Sequence, residues 1–67
     1  MKKNYIVLHY LNGRLKGRWD FGMNLAWAKD HMEFLENSVY QKGSHQIHVM
    51  EEHSPLTNEH YSTSFAI

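Results

Sequence analysis

Tyr5-Ile6-Val7-Leu8-His9-Tyr10-Leu11-Asn12-Gly13-Arg14-Leu15-Lys16-Gly17-Arg18-Trp19-Asp20-Phe21 is the stretch that decides the fold. Residues 5–11 are β-formers, and Asn12-Gly13 follows at once; both residues tolerate positive φ, the requirement of a two-residue type I′ turn. Leu15, Gly17, Trp19 and Phe21 then alternate with Lys16, Arg18 and Asp20, the pattern of a half-buried strand. A two-residue loop pairs Leu11 with Arg14, Tyr10 with Leu15, Leu8 with Gly17 and Ile6 with Trp19. That register sets apolar groups opposite one another. It places Tyr5, Val7, His9 and Leu11 on the other face, beside Arg14, Lys16 and Arg18.

Working outward, Gly22-Met23 breaks the strand and Asn24 is suited to cap a helix. Leu25, Ala28, Met32, Leu35 and Val39 follow one helical face, while Lys29, Glu33, Glu36 and Asn37 fall on the solvated side. Lys42 and Gly43 supply a basic last turn and a stop, so the expected helix spans 24–43. Residues 46–52 alternate Ile47 and Val49 with His48 and Met50. A polar loop with Ser54-Pro55 and Thr57-Asn58 leads to a last strand over about 59–66. Tyr61, Thr63 and Phe65 face one way there, and His60, Ser62 and Ser64 the other. The expected architecture is α+β: a single domain over 1–67, ordered ββαββ, with an antiparallel sheet on one helix. If the first hairpin is loose, the order reduces to βαββ.

With 67 residues there is room for one domain, and a chain of this size buries only roughly 60% of its unfolded surface. Hydrophobic residues make up 42%, enough for a compact core and against disorder. Cysteine is absent, so disulfides and thiolate–zinc sites are excluded. The start reads as a strand rather than a signal peptide, and no apolar run has the length of a membrane span. A cytoplasmic protein with no membrane partner is the expectation. The net charge is zero, but Lys2, Lys3, Arg14, Lys16 and Arg18 all precede the first acid, Asp20. Only local patches, not the whole molecule, can therefore act by charge.

No constellation for catalysis is legible, so the chain is read as a non-enzyme with no cofactor. The glycines stand singly, with no phosphate loop, and no serine sits in a nucleophile elbow. Glu51 and Glu52 are neighbours on a strand and point to opposite faces. Six histidines, His9, His31, His45, His48, His53 and His60, invite a metal site. Their spacing does not support one: His45 and His48 diverge, and only His48 and His60 could meet across the second hairpin. No metal is expected, although the same histidines could sense pH.

Two surfaces remain. Tyr5, Val7, His9 and Leu11 beside Arg14, Lys16 and Arg18 form either an ordinary solvated strand face or a docking face. Such a face could take an acidic protein, a nucleic acid or a second copy of the chain. Val7 and Leu11 are apolar for a bare face, which favours a covering partner. On the helix, Trp27, His31 and Phe34 lie beside the core stripe, with Trp27 and Phe34 roughly a third of a turn from its centre. They either widen the core or protrude as interface anchors.

In size and layout the chain resembles small phage-encoded inhibitor proteins, anti-CRISPR proteins among them. The Asn12-Gly13 hairpin, the helix over 24–43 and the closing strands carry the resemblance. It implies a small module that binds a larger protein or nucleoprotein complex and modulates or inhibits it by occupying a site. The alternative is a nucleic-acid-binding domain that uses the basic and aromatic sheet face. A homodimer is compatible with either.

Overall fold

The computed structural model describes residues 3–53 and 60–67. The expected loop motifs Ser54-Pro55 and Thr57-Asn58, and the start of the last strand at Glu59, lie outside the described residues. The elements are β1 (Tyr5–Leu11), β2 (Arg14–Asp20), α1 (Leu25–Ser38), β3 (Ser44–Glu51) and β4 (Tyr61–Ala66), the ββαββ order. They build a four-stranded sheet, β2-β1-β3-β4, antiparallel at every junction, with α1 packed on one face.

The turn forms as its chemistry requires, with Asn12 at φ 52° and Gly13 at φ 83°. Leu11 pairs with Arg14 and Tyr10 with Leu15, as expected. Beyond that point the register shifts. His9 pairs with Gly17, Leu8 with Arg18 and Val7 with Trp19, leaving Lys16 as the extra residue of a bulge. One inserted residue exchanges the faces of everything beyond it. Val7 and His9 thus share the helix side with Trp19, and both are buried. The expected outer face of Tyr5, Val7, His9 and Leu11 beside the basic residues does not exist.

Two contacts accompany the bulge. The Lys16 amine leaves the strand to donate to the Gln41 side chain at 2.8 Å. The Trp19 ring lies across Gly17, where an added Cβ would sit 2.5 Å from Trp19 Cη2. Gly17→Val is therefore expected to displace that ring and to cost about 1–3 kcal/mol of stability. A lower urea midpoint with a shift in tryptophan emission would bear this out; an unchanged midpoint would mean that the ring moves aside freely.

Asn24 caps α1, its side-chain oxygen accepting from the Trp27 N–H at 3.0 Å. Leu25, Ala28, Met32, Leu35 and Val39 turn to the sheet as their spacing requires. The helix ends at Ser38, earlier than the expected stop at Gly43. Val39 is already extended, at φ −89° and ψ 127°, and no basic residue occupies the last turn. Gly43 has a different task. At φ 137° it packs against the first hairpin, where a Cβ would come within 2.9 Å of the Asn12 side chain and of Leu11 Cδ1.

Between helix and sheet lie Val7, Ala28, Leu35, Ile47 and Val49, ringed by Tyr5, Trp19, Phe21, Leu25, Met32, Val39 and Phe65. On the other face Ile6, Leu8 and Met50 form a smaller cluster with Tyr10. β1 is thus apolar on both faces, as befits a central strand.

Candidate docking surface

Helical geometry offsets Trp27 and Phe34 by about 100° from the buried Ala28 and Leu35. That offset carries them off the core and onto the flank of α1 that overlooks β2. His31 lies between them in the same row, and Met23 lies in the turn before the helix. The row is built in two tiers. The lower tier is a floor of rings: His31 lies 4.5 Å from Trp19 and 5.3 Å from Phe21, centroid to centroid. Phe34 stacks on His31 at 5.9 Å. The upper tier reaches solvent, with Trp27 64% and Phe34 60% exposed, and Met23 in the preceding turn is 67% exposed. Side chains of this size and chemistry are usually covered, which makes this flank the candidate docking surface.

His31 is held neutral by its surroundings. Its Nε2 is buried without a hydrogen-bond partner, and burial lowers its pKa below the usual 6.5. The floor of the surface is therefore apolar in character although one of its rings is an imidazole.

The residues expected to form a single basic and aromatic face are dispersed. Tyr5 is half-buried with its ring 5.4 Å from His60. Val7 and His9 lie under the helix, and Leu11 packs toward Gly43. Arg14 and Lys16 remain exposed at the hairpin tip, where Leu11, Asn12, Arg14, Leu15 and Lys16 line an open depression. Arg18, opposite Leu8, points to the face away from the helix and pairs with Glu52. Of the expected set, Leu11, Arg14 and Lys16 stay together at the hairpin tip, and Trp27, His31 and Phe34 share one flank of α1. The structure adds Trp19 and Phe21, which reach His31 from β2 and the turn after it, a contact no local pattern encodes.

His9 belongs to a buried polar pair. Its Nε2–H donates to His45 Nδ1 at 2.9 Å, and His45 Nε2–H donates to the Gln41 carbonyl at 2.6 Å. This direction of donation is assigned from the network, since the carbonyl can only accept. Burial, followed by the Lys16 ammonium and His45, lowers the His9 pKa.

The remaining candidate chemistry does not converge. Glu51 takes Lys3 and His60, whereas Glu52 takes Arg18 and Asn4. His48 rests against Tyr10 on the outer face while His60 meets Tyr5 on the helix side. Among the described residues no three His, Asp or Glu side chains are grouped to hold a metal, and no helix is long and apolar enough to cross a membrane. No protein-family model, curated protein or solved structure matches the chain.

Proposed function

We propose that this chain is a small protein-binding module that modulates or inhibits a larger protein or nucleoprotein complex by occupying a site on it. The observation that carries the reading is the exposure of Trp27 and Phe34 on the flank of α1, with Met23 exposed in the turn before the helix. Trp and Phe presented on a rigid helix bury large areas at little entropic cost, and a few such anchors dominate interface energy. The Phe34 ring rests on His31, which itself lies against Trp19 and Phe21, so this anchor is organised before a partner arrives. The partner site that fits is an apolar groove or pocket able to take two aromatic rings about two helical turns apart. The action is binding without catalysis, on a cytoplasmic target, in the manner of the phage-encoded inhibitors the layout resembles.

Nucleic-acid binding is less well supported. Arg18 is engaged by Glu52 and faces away from Lys16 and the aromatic row, so the three basic residues of β2 cannot track one backbone. Affinity capture from native lysate, with and without nuclease and at low and high salt, separates the two. A single stoichiometric protein retained through both treatments is the expected result. A catch lost with nuclease would overturn the reading in favour of nucleic acid.

A further inference from the structure

The two outer strands of the sheet are built differently. β2 carries Arg14, Lys16 and Arg18 and a bulge, devices that keep a foreign strand from adding to an edge. β4, Tyr61-Ser62-Thr63-Ser64-Phe65-Ala66, has no charge, no proline and no shift in its register with β3. Gly43 and Ile67 exchange both backbone hydrogen bonds, at 3.1 and 3.0 Å. By the antiparallel alternation, Phe65 and Thr63 also direct their backbone groups at β3. Ser62, Ser64 and Ala66 then direct theirs outward.

We propose that this edge takes β4 of a second copy, antiparallel, about a twofold axis at Ser64. In that register Ser64 faces its own counterpart and Ser62 faces Ala66 of the second copy, so all the outward backbone groups find partners. On the helix side Thr63 meets Phe65, and Tyr61 meets Ile67, twice over by symmetry. Tyr61 is 39% and Ile67 49% exposed in the single chain, and the pairing covers both. Lys29 lies 4.2 Å from the centre of the Tyr61 ring and Thr63 donates to Glu36 at 3.0 Å, so α1 already fixes this row. No charge opposes another along the strand. The same operation on β2 about Gly17 would set Lys16 against Arg18, cation on cation. The edge is complementary to itself, and this selects a second copy over an unrelated strand.

The product is a continuous eight-stranded sheet whose two β2 edges, each beside an aromatic row, lie about 34 Å apart at seven strand spacings. If the docking reading also holds, the dimer presents its anchors in duplicate and gains by linkage on a repeated or twofold target.

Because the chain has no cysteine, single-cysteine variants read the register directly. Under mild oxidation Ser64→Cys is expected to form a covalent dimer, since directly opposed residues lie within disulfide reach. Ser62→Cys, displaced from its own counterpart, is not. By light scattering the wild type is expected at twice the 8.0 kDa chain mass. Ser64→Pro removes only an outward N–H, and Ser64→Lys places like charges on the axis; each should halve that mass with an unchanged far-UV CD spectrum. A wild type that stays monomeric up to millimolar concentration would overturn the proposal. So would equal cross-linking of the two cysteine variants, or a dimer that survives both Ser64 substitutions. None of these measurements involves another partner, so the result stands apart from the docking proposal.

Discussion

His9→Ala is expected to cost about 2–4 kcal/mol, a large share of what so small a domain can hold. The substitution leaves a cavity beneath α1 and strips His45 Nδ1 of its donor in a fully buried setting. His45 is otherwise fixed by the Gln41 carbonyl and by the Phe65 ring stacked on it at 5.1 Å, so it cannot turn to water for a replacement. Burial of His9 and of His31 also sets a pH dependence. Both His9 and His31 have pKa values below the usual 6.5 in the folded chain, with burial as the main cause. As pH falls through about 6.5 the unfolded chain takes up protons that the folded chain does not, so acid favours unfolding. The contribution of these groups is complete above that value and is lost progressively below it. Urea midpoints of the wild type should therefore fall on acidification from neutral pH. His9→Ala should start lower and fall less steeply over the same window, having lost one of the two groups. A midpoint that held steady or rose on acidification would contradict this account of the buried histidines.

Trp27→Ala is expected to leave the fold almost untouched and to weaken partner binding by about 2 kcal/mol or more, roughly 30-fold. Its backbone N–H still reaches Asn24, and its side chain is 64% exposed, so stability should change by no more than about 0.5 kcal/mol. Titration calorimetry against the captured partner, alongside far-UV CD, reads both halves of this expectation. Loss of folding would place the ring in the core, and unchanged affinity would remove it from the interface.

Much of the fold could be read before the structure, where the cause was local. Asn12-Gly13 signalled the turn because both residues tolerate the positive φ of a type I′ loop, and the spacing of Leu25, Ala28, Met32, Leu35 and Val39 set the buried face of α1. The bulge at Lys16 was not legible. Leu15, Gly17, Trp19 and Phe21 alternate without a break, and the extra residue is accompanied by contacts across the fold, Trp19 on Gly17 and Lys16 on Gln41. Val7 is too apolar for a bare face, but the cover is the chain's own helix and not the partner expected from the sequence. His9 and His45 stand 36 residues apart and meet only because β1 lies beside β3, an order that no local pattern encodes. For Trp27 and Phe34 the sequence set the angle from the core stripe but not the width of sheet available to cover them. The helix sits over β1 and β3, and both rings are left exposed beside β2.

The most direct test of the docking surface is site-specific photocrosslinking in native lysate. A benzoylphenylalanine group is placed in turn at Phe34 and at Gln46, an exposed position on the opposite face of the sheet. The account predicts one discrete protein adduct from the probe at Phe34 and none from the probe at Gln46. Adducts from Gln46 alone, or from neither position, would contradict it.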